Sequence, residues 1–159
     1  MLKSLPTRPR ATALAASRVA IIASNYNEEF VAPMLAKTHQ EILAIEPMAQ
    51  IEITHAPGSF EIPFLTCQII KRSKPDVVIC LGVIFQGQTG HADLIAASVT
   101  DSLCRLSVKF NIPVIHAVLL LSNKEQAQER CIGDEFNRGA EAARAAIAVL
   151  REARTIIGR

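Results

Sequence analysis

The chain alternates short, β-branched apolar runs with longer amphipathic ones, and this rhythm limits the folds open to it more than any other feature. Arg18–Ser24, Asp76 to about Phe85 and Val114–Leu121 are apolar at nearly every position, so neither face of such a strand suits water. Strands of this kind are covered on both sides, as in a parallel sheet held between two layers of helices. Gln50–Ala56 alternates polar with apolar and reads as a further strand. The runs between them predict helices. One extends from about Glu28 to Glu46, with Pro33 tolerated near its first turn, and one from Phe60 to Arg72, with Pro63 near its start. Others cover His91 to Phe110, ended by Asn111 and Pro113, a short stretch capped by Asn123 and reaching Arg130, and an Ala-rich stretch from about Asn137 to Arg154. The predicted fold is α/β, a three-layer sandwich around a four-stranded parallel sheet.

With 159 residues, half of them apolar, the chain has enough for one sizeable core and too little for two ordinary domains. Residues 18–159 are read as that single domain and residues 1–17 as an N-terminal arm. The arm is basic and free of acids, a composition shared with transit peptides. Its apolar part is too short for a secretory core or a membrane span, and Pro6 and Pro9 favour an extended strap. A net charge of +2 with scattered Lys and Arg gives no nucleic-acid surface. Cys67, Cys80, Cys104 and Cys131 stand singly in apolar surroundings without CxxC spacing, which argues against a metal or redox role and for a reducing cytoplasm.

The polar anomalies all fall where the strands end. Asn25-Tyr26-Asn27 follows the first strand, Pro57-Gly58-Ser59-Phe60-Glu61 the second, Gly87-Gln88-Thr89-Gly90-His91 the third and Ser122-Asn123 the fourth. Ligands of open α/β sheets bind at that edge, so these loops predict one convergent site. Gln88 and Thr89, in a Gly-bracketed turn before a helix, offer amide groups and a hydroxyl to an anion, although turn chemistry and capping explain the same residues. No Gly-Lys-Ser/Thr follows, which excludes a P-loop nucleotidase. His91 opens that helix, where the dipole disfavours imidazolium and leaves the ring available as a base; its alternative is a plain surface residue. His116, inside an apolar strand, is either a core or a pocket-lining histidine. Tyr26 and Phe60 are placed to stack on a flat heterocycle or simply to pack. Arg130 and Arg138 flank Cys131–Asn137 as a guanidinium clamp for phosphate or as solvated helix-end residues.

Together these motifs resemble the lumazine synthase family from about Arg18 onward. The resemblance is carried by Ser24-Asn25-Tyr26-Asn27, Pro57-Gly58-Ser59-Phe60-Glu61-Ile62-Pro63 and Gly87-Gln88-Thr89-Gly90-His91. It continues through Ile112-Pro113-Val114-Ile115, Glu125-Gln126-Ala127-Gln128-Glu129-Arg130 and Asn137-Arg138-Gly139-Ala140-Glu141. Each motif alone is weak, and their order and spacing together are specific. The resemblance implies a flavodoxin-like fold and a transferase of riboflavin biosynthesis, working without cofactor or metal. The implied reaction condenses 5-amino-6-ribitylaminouracil with 3,4-dihydroxy-2-butanone 4-phosphate to 6,7-dimethyl-8-ribityllumazine, phosphate and water. It implies that Tyr26 stacks on the pyrimidine and that Asn27, Gly58, Ser59, Phe60, Glu61, Val83, Ile84 and Phe85 surround the ring and ribityl chain. Gln88, Thr89 and Arg130 are implied at the phosphate, His116 and Arg138 at the substrate, and His91 as the acid/base. Arg130 is expected from an adjacent subunit of a homopentamer or a higher multiple, a decamer or sixty-subunit shell included. The arm could extend along that neighbour and add to its sheet.

Several positions depart from the family pattern: Gln86 stands where Arg is common, Gly90 for Pro or Thr, Ala92 for an aromatic, His116 for Phe and Arg138 for Lys. These departures keep open a non-catalytic lumazine- or flavin-binding or shell-forming homologue. A pentameric archaeal-type riboflavin synthase shares the fold, but the Pro-Gly-Ser-Phe-Glu-Ile-Pro and Gly-Gln-Thr-Gly-His elements speak for the lumazine-forming enzyme. A receiver domain would need acids after the first strand, where this chain has Ser24-Asn25.

Overall fold

A computed structural model describes residues 4–11 and 16–158. Strand β1 (Arg18–Ser24) leads into helix α1 (Glu28–Ile45), β2 (Gln50–Ala56), a 3₁₀ turn (Ser59–Glu61) and α2 (Ile62–Ser73). Then follow β3 (Val77–Phe85), α3 (His91–Phe110), β4 (Val114–Leu121), a one-turn α4 (Lys124–Ala127) continued by a π turn (Gln128–Ile132), and α5 (Arg138–Ile157). All pairings among the described residues are parallel, in the order β2-β1-β3-β4.

The two central strands obey the two-faced pattern of the sequence. Val19, Ile21, Ala23, Val77, Ile79 and Leu81 pack under α1 and α5, while Ala20, Ile22, Val78 and Cys80 pack under α2 and α3. Burying each of these larger aliphatic side chains contributes roughly 1.5–3 kcal/mol. The edge strands are less completely covered, and β4 in this departs from the expected burial on both faces. Ile53 on β2 is 41 % exposed, and His116 on β4 is exposed, because the strand order leaves each of these strands with one neighbour.

Local signals set the helix ends. The Asn137 side chain accepts bonds from the Gly139 and Ala140 amides at 3.0 and 3.2 Å while its own amide donates to the Cys131 and Gly133 carbonyls. Lys74 and Asn111 close α2 and α3 in the left-handed region. Pro33 sits in the second turn of α1 and forgoes the bond to the Glu29 carbonyl, and the helix continues because Met34, Ile42 and Ile45 are wholly buried. The stretch read as one short helix to Arg130 divides into α4 and the π turn, whose extra residue per turn ends in Gly133.

The described part of the arm, residues 4–11, takes a course within its own subunit. Arg8 holds both carboxylate oxygens of Glu41 at 2.8 Å, Arg144 of α5 binds the same carboxylate at 2.7 Å and donates to the Pro6 carbonyl, and Arg151 donates to the Arg10 carbonyl. These contacts make the described part of the arm a strap over α1 and α5. The reason is electrostatic: burial opposes ionisation of Glu41, and only the bonds from Arg8 and Arg144 hold its carboxyl below the usual range. The segment Thr12–Ala15 lies outside the described residues.

Candidate active site

The strand order reverses direction between β1 and β3, since the chain passes from β1 out to β2 and then returns across to β3. Crevices form at the carboxyl ends of such strands. A cleft of about 450 Å³ lies there, lined by Tyr26, Asn27, Gly58, Ser59, Phe60, Glu61, Val83, Ile84, Phe85, Gly87, Thr89, His91, Ala92 and Ile95. Its walls come from three loops and its floor from the end of β3.

The first loop is held by definable contacts. The Ser24 hydroxyl accepts from the Tyr26 amide at 3.1 Å and donates to the Tyr26 carbonyl, a local turn that leaves the Tyr26 ring 70 % exposed at the rim. Asn27 adopts φ 58°, and its side-chain amide donates to the Val83 carbonyl at 2.8 Å, tying the β1 loop to β3. Phe60 faces outward on the 3₁₀ turn, 59 % exposed, as the second aromatic of the rim. Ser59 points inward and its buried hydroxyl has no protein partner. Gly82 makes room for it, since a Cβ there would stand 2.7 Å from Ser59 Oγ.

At the third loop, Gly90 precedes α3 and no side chain caps the helix, so its first amides are left for another acceptor. Thr89 and exposed His91 line the cleft beside those amides, while Gln88 is exposed in the same turn but does not line it. Ile95, absent from the sequence-level site, is brought in because it stands one helical turn beyond His91 on the same face.

The structure does not bring the remaining expected residues to this cleft. His116, Arg130 and Arg138 line a second recess of about 680 Å³ along β4, with Val118, Leu119, Leu120, Leu121, Gln126 and Glu129. No residue lines both. His116 is therefore no core histidine; it faces the recess from the open sheet edge and meets Thr100 Oγ1 at 2.9 Å. Although the residue as a whole is open to solvent, the protein packed around its ring desolvates it, and this, then the nearby Arg138 charge, holds its pKa below the ordinary histidine value. The Arg130 guanidinium stacks 6.0 Å from the Phe136 ring centre, and Arg138, partly buried, pairs with Glu141. Gln86, at the end of β3, accepts a bond from the Ser122 hydroxyl at 3.0 Å and so ties the ends of β3 and β4 together. The cysteines supply no nucleophile to either recess: burial pushes the Cys80 thiol up to about 12 and the Cys131 thiol to about 11.

An α/β protein with an aromatic-rimmed cleft at its topological switch point and an arginine recess on its sheet edge is the class that fold and geometry define. Residues 16–154 match the model of the 6,7-dimethyl-8-ribityllumazine synthase family. A 6,7-dimethyl-8-ribityllumazine synthase of Limosilactobacillus reuteri is 34 % identical over 78 % of this chain and 81 % of its own. One of Cytophaga hutchinsonii is 37 % identical over 83 % of this chain and 84 % of its own. A GDP-L-fucose synthetase of Naegleria fowleri superposes on 99 % of this chain and 50 % of its own with a TM-score of 0.45 and 14 % identity, too slight a likeness to assign anything. The chain belongs to the 6,7-dimethyl-8-ribityllumazine synthase family and is a transferase of riboflavin biosynthesis. Among the described residues no helix is long and apolar enough to cross a membrane.

Proposed function

We propose that the condensation of 5-amino-6-ribitylaminouracil with 3,4-dihydroxy-2-butanone 4-phosphate runs in a composite site, the cleft of one subunit closed by the β4 recess of the next. The single observation that carries this reading is the division of the expected site residues between two recesses with no lining residue in common. A closed ring of such head-to-tail contacts follows, a pentamer or a multiple of one, in a reducing cytoplasm.

The chemistry suits the halves. The pyrimidine lies against Tyr26 and Phe60, its ribityl hydroxyls near Ser59, whose buried oxygen otherwise lacks a partner, and Glu61. The butanone phosphate is held by Arg130 and Arg138 from the neighbour, with Gln88, Thr89 and the uncapped amides of α3 on the near side. The pyrimidine amine attacks the ketone carbon, and loss of water gives the imine. A proton leaves carbon as phosphate departs, and the second amine closes the ring with loss of another water. Each step moves a proton near the substrate carbonyl, within the compass of His91 at the cleft wall. No cofactor enters this scheme.

Mixing tests the shared site directly. His91→Ala and Arg130→Ala chains are dissociated, combined in equal amounts and reassembled, and formation of the lumazine is followed by its absorbance. Random closure of a ring gives about a quarter of the sites both intact residues, so activity returns. Confirmed subunit exchange without recovery overturns the composite site. Wild-type protein that forms no lumazine from the two substrates favours the binding or shell-forming homologue, and riboflavin formed from the lumazine alone favours the archaeal-type synthase.

A further inference from the structure

The β4 recess contains one group whose charge is not permanent. His116 stands between Arg138 on α5 and Thr100 on α3, and the hydrogen count at Thr100 decides its tautomer. The Thr100 hydroxyl donates its single proton to the Ala96 carbonyl at 2.7 Å, so toward the imidazole 2.9 Å away that oxygen can only accept. Nε2 therefore carries the hydrogen of the neutral ring, and Nδ1 is where a second proton enters. The ring's own backbone carbonyl favours that proton, whereas burial and Arg138 oppose it and prevail. The charged groups facing this position are Arg130 and Glu129 from the π turn, and Arg138, paired to Glu141, from α5; on α3, Asp101 beside Thr100 is engaged by Arg105. The neutral ring leaves the recess with two guanidinium charges to offer an anion.

We propose that His116 is a specificity-determining residue for the phosphorylated substrate, a proton-gated third cation beside Arg130 and Arg138 that tightens the hold on an anion as pH falls. This rests on the reading of the β4 recess as the anion half of the composite site. The effect is reciprocal: an anion between the three side chains offsets the repulsion from Arg138, so binding it draws a proton onto Nδ1.

Sulfate is the probe, because it stays a dianion across the range in which phosphate itself titrates. Its binding to the assembled protein is measured by calorimetry at pH 7.5 and 5.5, in buffers of different ionisation enthalpy, for wild type, His116→Gln, His116→Phe and Arg130→Ala. The wild type is expected to bind sulfate roughly three- to thirtyfold more tightly at the lower pH, with proton uptake. His116→Gln, which keeps a donor to Thr100, and His116→Phe should bind it nearly equally at both. Sulfate binding that Arg130→Ala weakens, but whose pH dependence and proton uptake persist in His116→Gln, overturns the role of His116. Sulfate binding that Arg130→Ala leaves unchanged overturns the anion recess, and this inference with it.

Discussion

The cleft at the switch point and the recess on β4 differ more in chemistry than in size. The cleft presents two exposed aromatic rings, an apolar floor at the end of β3, a buried serine hydroxyl and one histidine. The recess presents two arginines and a histidine with lowered pKa over the aliphatic side chains of an edge strand. One suits a flat, hydroxyl-bearing ring; the other suits a compact anion. The proposed composite site uses both surfaces at once, and within one subunit they have no lining residue in common. The division also separates the lesions: damage to the cleft should appear in the chemical step and in pyrimidine binding, damage to the recess in the affinity for the phosphorylated substrate.

The largest break in that comparison is expected at His91. His91→Ala should lower kcat by roughly ten- to a thousandfold while pyrimidine binding changes little, as read from saturation kinetics and equilibrium titration. A kcat that is unchanged across the pH range would take His91 out of the mechanism.

Next in size is the loss of a charge from the recess. Arg130→Ala should forfeit roughly 1.5–3 kcal/mol of charge-assisted bonding, seen as a raised KM for the butanone phosphate with pyrimidine affinity spared. Inorganic phosphate should compete with that substrate in the wild type. If only the pyrimidine KM rose, the assignment of the two surfaces would be reversed.

Gly82→Ala probes the floor of the cleft. The added Cβ would stand 2.7 Å from Ser59 Oγ and 3.2 Å from Val118 Cγ1, a crowding that should cost about 1–3 kcal/mol and lower Tm. Adding Ser59→Ala should recover much of the loss, because it removes the nearer obstacle. A double variant no more stable than the single one would place the strain elsewhere.

The smallest effect sharpens the role of the rim. Tyr26→Phe should bind the pyrimidine almost as wild type does, whereas Tyr26→Ala should lose about 0.5–1.5 kcal/mol of stacking beyond its lost contact area. Equal affinity in the alanine variant would make Tyr26 ordinary surface.

The architecture was legible along the chain, because two-faced apolar strands admit few arrangements. The central strands β1 and β3 and the helix from His91 to Phe110 lie where the hydrophobic period placed them. The loops at the strand ends were legible for the same reason: Gly, Pro, Asn and Ser that interrupt a period announce turns locally, and Tyr26, Asn27, Gly58–Glu61, Thr89 and His91 do meet in one cleft. Contacts between distant segments were set by how the elements pack. That Arg130, Arg138 and His116 face a different recess depends on β4 being an edge strand, and strand order is a property of how four strands pack rather than of any one of them. The tautomer of His116 depends on a hydroxyl sixteen residues away whose proton is already committed to another carbonyl. The course of the arm depends on Glu41, a buried acid in a helix whose partners come from residues 33 positions before it and 103 after. Such pairings leave no period in the chain, since they arise where a buried charge must be met by whatever cation the fold brings within reach.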